Sequence, residues 1–268
     1  MDERGSRESQ IAIHRDGCEA VGVEGDTKLR EEGEDDAIMT TWSYGVTTVP
    51  SRVSTLLPKT LKSLAEAGFT SPRLFIDGQC DSKLLSDLHS PRITQRDSQV
   101  GAFGSWLLAA WELYIREPQA QMYAIFQDDL VMCRGVKEYL EKIEYPKKSY
   151  LNLFTFADNE SFVWGQPQEW CKSDQLGKGG LALVFDHEAI TTLLQQSHMV
   201  HKPQLPKGYK NLDGAVQHAL VAQAGFTEYV HNPSLVQHTG EVGTLDNPKH
   251  PLAKTFPGEQ FDARSLLS

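Results

Sequence analysis

The chain has 268 residues, 40% of them hydrophobic and 23% charged, so it can bury one substantial core as a single α/β domain. It has no run of 18 apolar residues and no basic region followed by an apolar core at its start, so neither a membrane span nor a signal peptide is read, and a soluble, cytoplasmic protein is expected. A formal charge of −10 gives no general attraction for nucleic acid.

That charge is uneven. Residues 1–38 hold 12 of the 36 acidic and 5 of the 26 basic side chains, leaving only −3 for residues 39–268. The stretch "REEGEDD" at 30–36 belongs to a segment with too little apolar surface to offset ordering. Residues 1–38 therefore read as a disordered tail, with a cleavable or regulatory segment as the alternative. Cys18, Cys80, Cys133 and Cys171 form no CxxC pair and read as free thiols.

Regular alternation follows. "TTWSYGVTTV" (40–49) predicts a strand, "VSTLLPKTLKSLAEAG" (53–68) an amphipathic helix closed by Gly68, and "RLFID" (73–77) a second strand. A helix over 81–88 and a short strand at "RITQ" (92–95) come next, then an apolar helix, "GAFGSWLLAAWELYIRE" (101–117), and the strand "MYAIF" (122–126). Strands alternating with helices predict a mostly parallel sheet covered on both faces, with ligands bound beyond the carboxyl ends of its strands.

At one such end the buried-type run 122–126 stops at adjacent carboxylates, Asp128 and Asp129. Two neighbouring carboxylates repel, so keeping both ionised requires water, a basic partner or a divalent cation. Their bland reading is a strand end or a turn cap.

The second half is less uniform. "SYLNLFTF" (149–156) leads into an irregular segment, 157–178, with Trp164 and Trp170; "GKGGLALVFDHEAITTLL" (177–194) is a glycine-rich turn, a strand and a helix. A helix over 211–225 opens at Asn211 or Asp213 and ends at Gly225. The strand-like "SLVQ" (234–237) then delivers His238 into a loop with Gly240, Gly243 and Thr244, where backbone without Cβ permits close phosphate approach.

Four stretches, in this order, carry a resemblance: "TTVPSR" (47–52), "FQDDL" (126–130), "LDGAVQHAL" (212–220) and "PSLVQHTG" (233–240). Over most of residues 41–262 the chain resembles the GT-A fold nucleotide-sugar-dependent glycosyltransferases. The second stretch stands in the place of their acidic DXD-type motif, the third in that of an acidic helix-start motif, and the fourth in that of a late metal-binding histidine. The resemblance implies a Rossmann-like α/β fold and a hexosyltransferase-type enzyme. Its donor would be a nucleotide diphosphate sugar, UDP-linked for preference, and its cofactor Mn²⁺ or Mg²⁺.

The same resemblance implies roles for residues. Asp129 and His238 would bind the metal, and Asp128 would face the ribose or a metal-bound water; Gln127 stands where many relatives carry an acid. Thr47, Thr48 and Arg52 would contact base or phosphate, Asp77 the base or ribose, and Gln99 and Gly101 the donor at a helix start whose amides favour an anion. Gly179, Gly180 and Thr244 complete the donor candidates. Asp213 would be the general base that takes the acceptor proton, in an inverting reaction, unless it is only a helix cap. The acceptor stays open among a glycan, a protein and a modified nucleic-acid base. Lys147, Lys148, Lys202, Lys207 and Lys210 can form a local basic rim, and 157–178 with "HKPQLPKGYK" (201–210) would shape the acceptor side. A nucleotidyltransferase and a non-catalytic sugar-nucleotide-binding module are the alternatives.

Overall fold

In a computed structural model, residues 40–88, 92–167, 169–200, 211–239 and 252–267 are described, all within the unit Met39–Ser268. The 1–38 segment, the 201–210 loop, Gly240, Gly243 and Thr244 lie outside the described residues.

The chain runs β1 (Trp42–Thr48), α1 (Leu57–Glu66), β2 (Arg73–Ile76), α2 (Ser82–Asp87), β3 (Ile93–Gln95), α3 (Gly101–Arg116), β4 (Met122–Gln127), β5 (Leu130–Met132) and α4 (Val136–Lys142). It continues through β6 (Ser149–Asn152), α5 (Ala157–Val163), β7 (Trp170–Lys172), β8 (Ala182–Asp186), α6 (His187–Gln195), α7 (Ser197–Val200), α8 (Leu212–Gln217), β9 (Thr227–His231) and β10 (Val236–His238). The helix expected over 53–68 is shorter, because Pro50–Arg52 form a 3₁₀ turn and α1 begins only at Leu57, with Pro58 in the first turn where no amide is required. The helix expected over 211–225 is α8, continued by a π-helical stretch, His218–Gln223. The three-residue strands β5 and β7 were not foreseen, being too short for a period-2 pattern.

Eight strands form a sheet in the order β3-β2-β1-β4-β8-β6-β9-β7. β2, β3 and β4 run parallel to β1 or to one another, β6 parallel to β9, and only β8 and β7 run against their neighbours. The strand alternation in β4 sends Met122, Ala124 and Phe126 into the layer with Leu57 and Leu64 of α1 and Val136 and Leu140 of α4. Tyr123 and Ile125 enter the opposite layer, with Phe103 and Trp106 of α3, Ile190 and Leu193 of α6 and Val216 of α8. Trp106 is a core residue, 1% exposed.

Register decides what meets at the sheet's edge. Thr47 pairs with Gln127 across β1 and β4, and Thr48 with Ile76 across β1 and β2, so the residues following these strand ends lie along one rim. Because β8 is antiparallel to β4, with Phe126 opposite Ala182, the turn entering β8 arrives at the same rim. A second, two-stranded sheet pairs β10 with β5 and sets His238 opposite Leu130.

Candidate active site

The acid pair is built into a buried turn. Asp128 and Asp129 are each 3% exposed. Thr60 of α1 holds the turn from beneath: its Oγ1 lies 2.7 Å from Asp128 O and 3.0 Å from Leu130 O, and it accepts from Leu130 N at 3.3 Å. One helical turn on, Ser63 Oγ accepts from Met132 N at 2.8 Å. Thr60 and Ser63 are polar breaks at i and i+3 on the buried face of α1, a signal legible in the sequence.

Arg52 is the basic partner that the paired charge requires. Its Nη1 donates to Asp128 Oδ1 at 2.7 Å and to Asp129 Oδ2 at 3.1 Å. Thr48 Oγ1 donates to Asp128 Oδ2 at 2.5 Å, so both Asp128 oxygens accept hydrogen bonds from the first strand and its turn. Burial raises the Asp128 carboxyl above its ordinary value and Asp129 adds to the rise, while Thr48 and Arg52 pull it down. For Arg52, burial lowers proton affinity, but Asp128 and Asp129 more than offset it, and the guanidinium stays charged.

His238 Nε2 lies 3.6 Å from Asp129 Oδ2. The β5–β10 pairing puts it there, and Thr239 N donates to Asp129 O at 2.9 Å. An imidazole nitrogen and a carboxylate oxygen at this separation suit two ligands of one divalent ion with bonds of about 2.1 Å. Among the described residues no group of three or more His, Cys, Asp or Glu converges, so the described donors to such an ion are this pair, leaving positions for water or phosphate oxygens.

Asp213 belongs to the same rim through Gln127. Gln127 Nε2 donates to Gly180 O at 2.8 Å and Gln127 N to Leu181 O at 2.9 Å, tying the end of β4 to the glycine-rich turn. Gly179 N donates to Asp213 Oδ2 at 2.8 Å, and the Gly180 amide is also bonded to this carboxylate. The turn needs its glycines: Gly179 has φ 78°, and a Cβ at Gly180 would meet Asp213 Oδ1 at 2.6 Å. The helix cap is Asn211, whose Oδ1 accepts from Gly214 N at 3.2 Å. Asp213 is thus not the cap of α8. The helix start alone predicts a depressed carboxyl; instead burial raises Asp213 above the ordinary value, against the Gly180 and Gly179 amides.

The remaining donor candidates divide. Asp77 accepts from Val100 N at 2.8 Å and Gly101 N at 2.9 Å, so its carboxylate caps α3 and already occupies the amides expected to face an anion. Thr47 Oγ1 donates to Phe126 O at 3.3 Å. Gln99 is exposed, and a Cβ on Gly101 would meet nothing within 4 Å. Trp170 packs on His231 at 4.9 Å, whereas Trp164 is 79% exposed. A groove of about 380 Å³ on the outer face of α3, lined by Leu108, Trp111 and Ile115, contains none of the candidate residues.

No protein-family model and no curated protein sequence matches the chain. In structure it is similar to GalNAc-T7 solved with UDP, GalNAc and Mn²⁺, with a TM-score of 0.54 and 10% identity over 76% of this chain and 44% of that one. It also matches the apo form of the glycosyltransferase GlyE of Streptococcus pneumoniae, with a TM-score of 0.43 and 9% identity over 71% of this chain and 45% of the other. The chain spans under half the length of each. With its mostly parallel sheet and helices on both faces, it has the GT-A-like fold of nucleotide-sugar glycosyltransferases.

Proposed function

We propose that the chain is a metal-dependent glycosyltransferase that moves a sugar from a nucleotide diphosphate sugar, with UDP the favoured nucleotide, to an acceptor hydroxyl. The observation that carries this reading is the approach of His238 Nε2 to Asp129 Oδ2, 3.6 Å, at the end of a core strand in a GT-A-like frame. Asp129 and His238 would hold Mn²⁺ or Mg²⁺, the imidazole favouring Mn²⁺, and the ion supplies neutralisation of the leaving diphosphate when bound.

The chain's own groups divide the work. Arg52 would offer its fork of donors to a phosphate, and Thr48 with Asp128 would line the ribose side. Asp213 removes the acceptor proton as the acceptor oxygen bonds the anomeric carbon and the bond to phosphate breaks on the opposite face, which inverts the configuration. Its raised proton affinity suits a base better than an ordinary carboxylate does.

Cys80, Cys133 and Cys171 are free thiols, which suits work in the reducing cytoplasm. Among the described residues no helix is long and apolar enough to cross a membrane. The test is incubation with a panel of UDP-sugars and Mn²⁺, with and without candidate acceptors, read as free UDP. Mn²⁺-dependent UDP release that is absent in Asp129→Ala is expected; nucleotide binding with no release from any sugar donor would leave a binding module instead.

A further inference from the structure

Beneath the 177–180 turn lies an acid that the chemistry above does not use. Glu228, on β9, is 1% exposed. Its Oε2 accepts from Ser173 Oγ at 2.6 Å and its Oε1 from Asn152 Nδ2 at 3.1 Å. Its backbone is held as well, with Gln175 Nε2 donating to Glu228 O at 2.8 Å and Glu228 N to Gln175 Oε1 at 3.0 Å.

Asn152 Nδ2 has a second acceptor, Lys178 O at 2.9 Å. That carbonyl and the Gly179 N–H belong to one peptide group, and the Gly179 N–H is the one that donates to Asp213 Oδ2 at 2.8 Å. A continuous path therefore runs from the Glu228 carboxylate through the Asn152 amide and a single peptide group to Asp213. Gln175, Gly177 and Gly179 all have positive φ, at 60°, 64° and 78°, and Asn152 holds the Lys178–Gly179 peptide group from below.

The groups facing Glu228 are the Tyr150 hydroxyl from β6, Asp174 from the turn after β7, and Asp213 from α8. Lys178, the nearby cation, is engaged by Asp158 at 2.6 Å and Asp174 at 2.8 Å. Burial pushes Glu228 up to about 7; Ser173 and Asn152 lower it, and Asp174 and Asp213 raise it further. The Asp213 anion thus raises Glu228, whereas Asp213 itself is set by burial against the Gly180 and Gly179 amides.

We propose that Glu228 is a positioning residue that acts through Asn152 to orient the Lys178–Gly179 peptide group, so that the Gly179 amide stays aimed at the Asp213 carboxylate and stabilises its anion. The catalytic consequence rests on the general-base reading of Asp213, while the effect on its proton affinity does not. The test therefore uses two readouts on the full chain: a carboxyl-carbon NMR titration of Asp213, which needs no turnover, and the pH profile of kcat.

Glu228→Gln keeps the shape, with its carbonyl accepting from Asn152 and its amide facing Ser173 Oγ. It is expected to leave nucleotide diphosphate affinity and the Asp213 titration midpoint unchanged, because the path is kept. Asn152→Ser breaks the path, and Glu228→Leu removes its far acceptor; each is expected to raise the Asp213 midpoint, since the Gly179 amide that lowers it is no longer held, and to lower kcat roughly tenfold at constant donor KM. An unmoved Asp213 midpoint in whichever of these two variants folds overturns the proposal, whatever happens to thermal stability. A shifted midpoint in a chain that turns over no donor keeps the positioning role and removes the general-base reading.

Discussion

Arg52 Nη1 sits 2.7 Å from Asp128 Oδ1, and the same nitrogen is 3.1 Å from Asp129 Oδ2, so one guanidinium bridges both members of the buried acid pair. Breaking a buried ion pair from one side leaves uncompensated charge and costs about 3–5 kcal/mol. Arg52→Gln should lower the melting temperature sharply in chelator, and Mn²⁺ should restore part of the loss if Asp129 and His238 share an ion. Differential scanning calorimetry with and without Mn²⁺ checks this; equal losses in both conditions would argue against the shared ion.

Thr60 is the hidden support of the same turn. Thr60→Val is close to isosteric but strands the Asp128 and Leu130 carbonyls and the Leu130 amide, an unmet polar burial worth roughly 1–3 kcal/mol. Urea unfolding should show that loss, and nucleotide titration should show weaker donor binding because the acid pair loses its fixed geometry. Weaker stability with unchanged nucleotide affinity would separate the turn from donor binding.

Asp213 and Asn211 make a matched pair of probes. Asn211→Ala removes the α8 cap and should cost about 1 kcal/mol with little change in transfer rate. Asp213→Asn should retain donor binding and lower transfer by roughly 10²-fold or more. It should also lose some stability, because an amide NH₂ replaces one oxygen of a carboxylate that receives the Gly179 and Gly180 amides. Normal transfer in Asp213→Asn would end the general-base assignment.

Glu228 and His231 give stability opposite pH slopes. Glu228 titrates near 7 when folded against 4.5 when exposed, so between these values the folded state keeps a proton that the unfolded state releases, and stability falls as pH rises. His231, buried and bonded to Tyr139 at 2.9 Å, is lowered from 6.5 to about 4, so its contribution rises with pH over that window. Relative to Glu228→Gln, the wild-type chain should lose about 2–3 kcal/mol between pH 4.5 and 7. Parallel stability–pH curves for the two proteins would contradict the raised Glu228 affinity.

What the sequence determined was local and periodic. The β1–α1–β2 opening, the apolar run Met122–Phe126 and the glycine-flanked turn before β8 were readable because side-chain period and φ preference act within a few residues. The adjacency of Asp128 and Asp129 was readable too, and with it the need for a countercharge.

Which countercharge arrives, and from where, is a matter of register. Only the parallel β1–β4 pairing brings Arg52 to an acid 76 residues away, only the β5–β10 pairing sets His238 beside Asp129, and only an antiparallel β8 lets Gln127 reach Gly180. Asp213 illustrates the limit: its place at a helix start predicts a depressed carboxyl, but burial reverses the sign in spite of the Gly180 and Gly179 amides. Glu228 gave no local signal at all, since an acid alternating along β9 reads as solvent-facing until β6 and Ser173 close over it. Desolvation is a property of what surrounds a group in three dimensions, and a sequence window contains almost none of those neighbours.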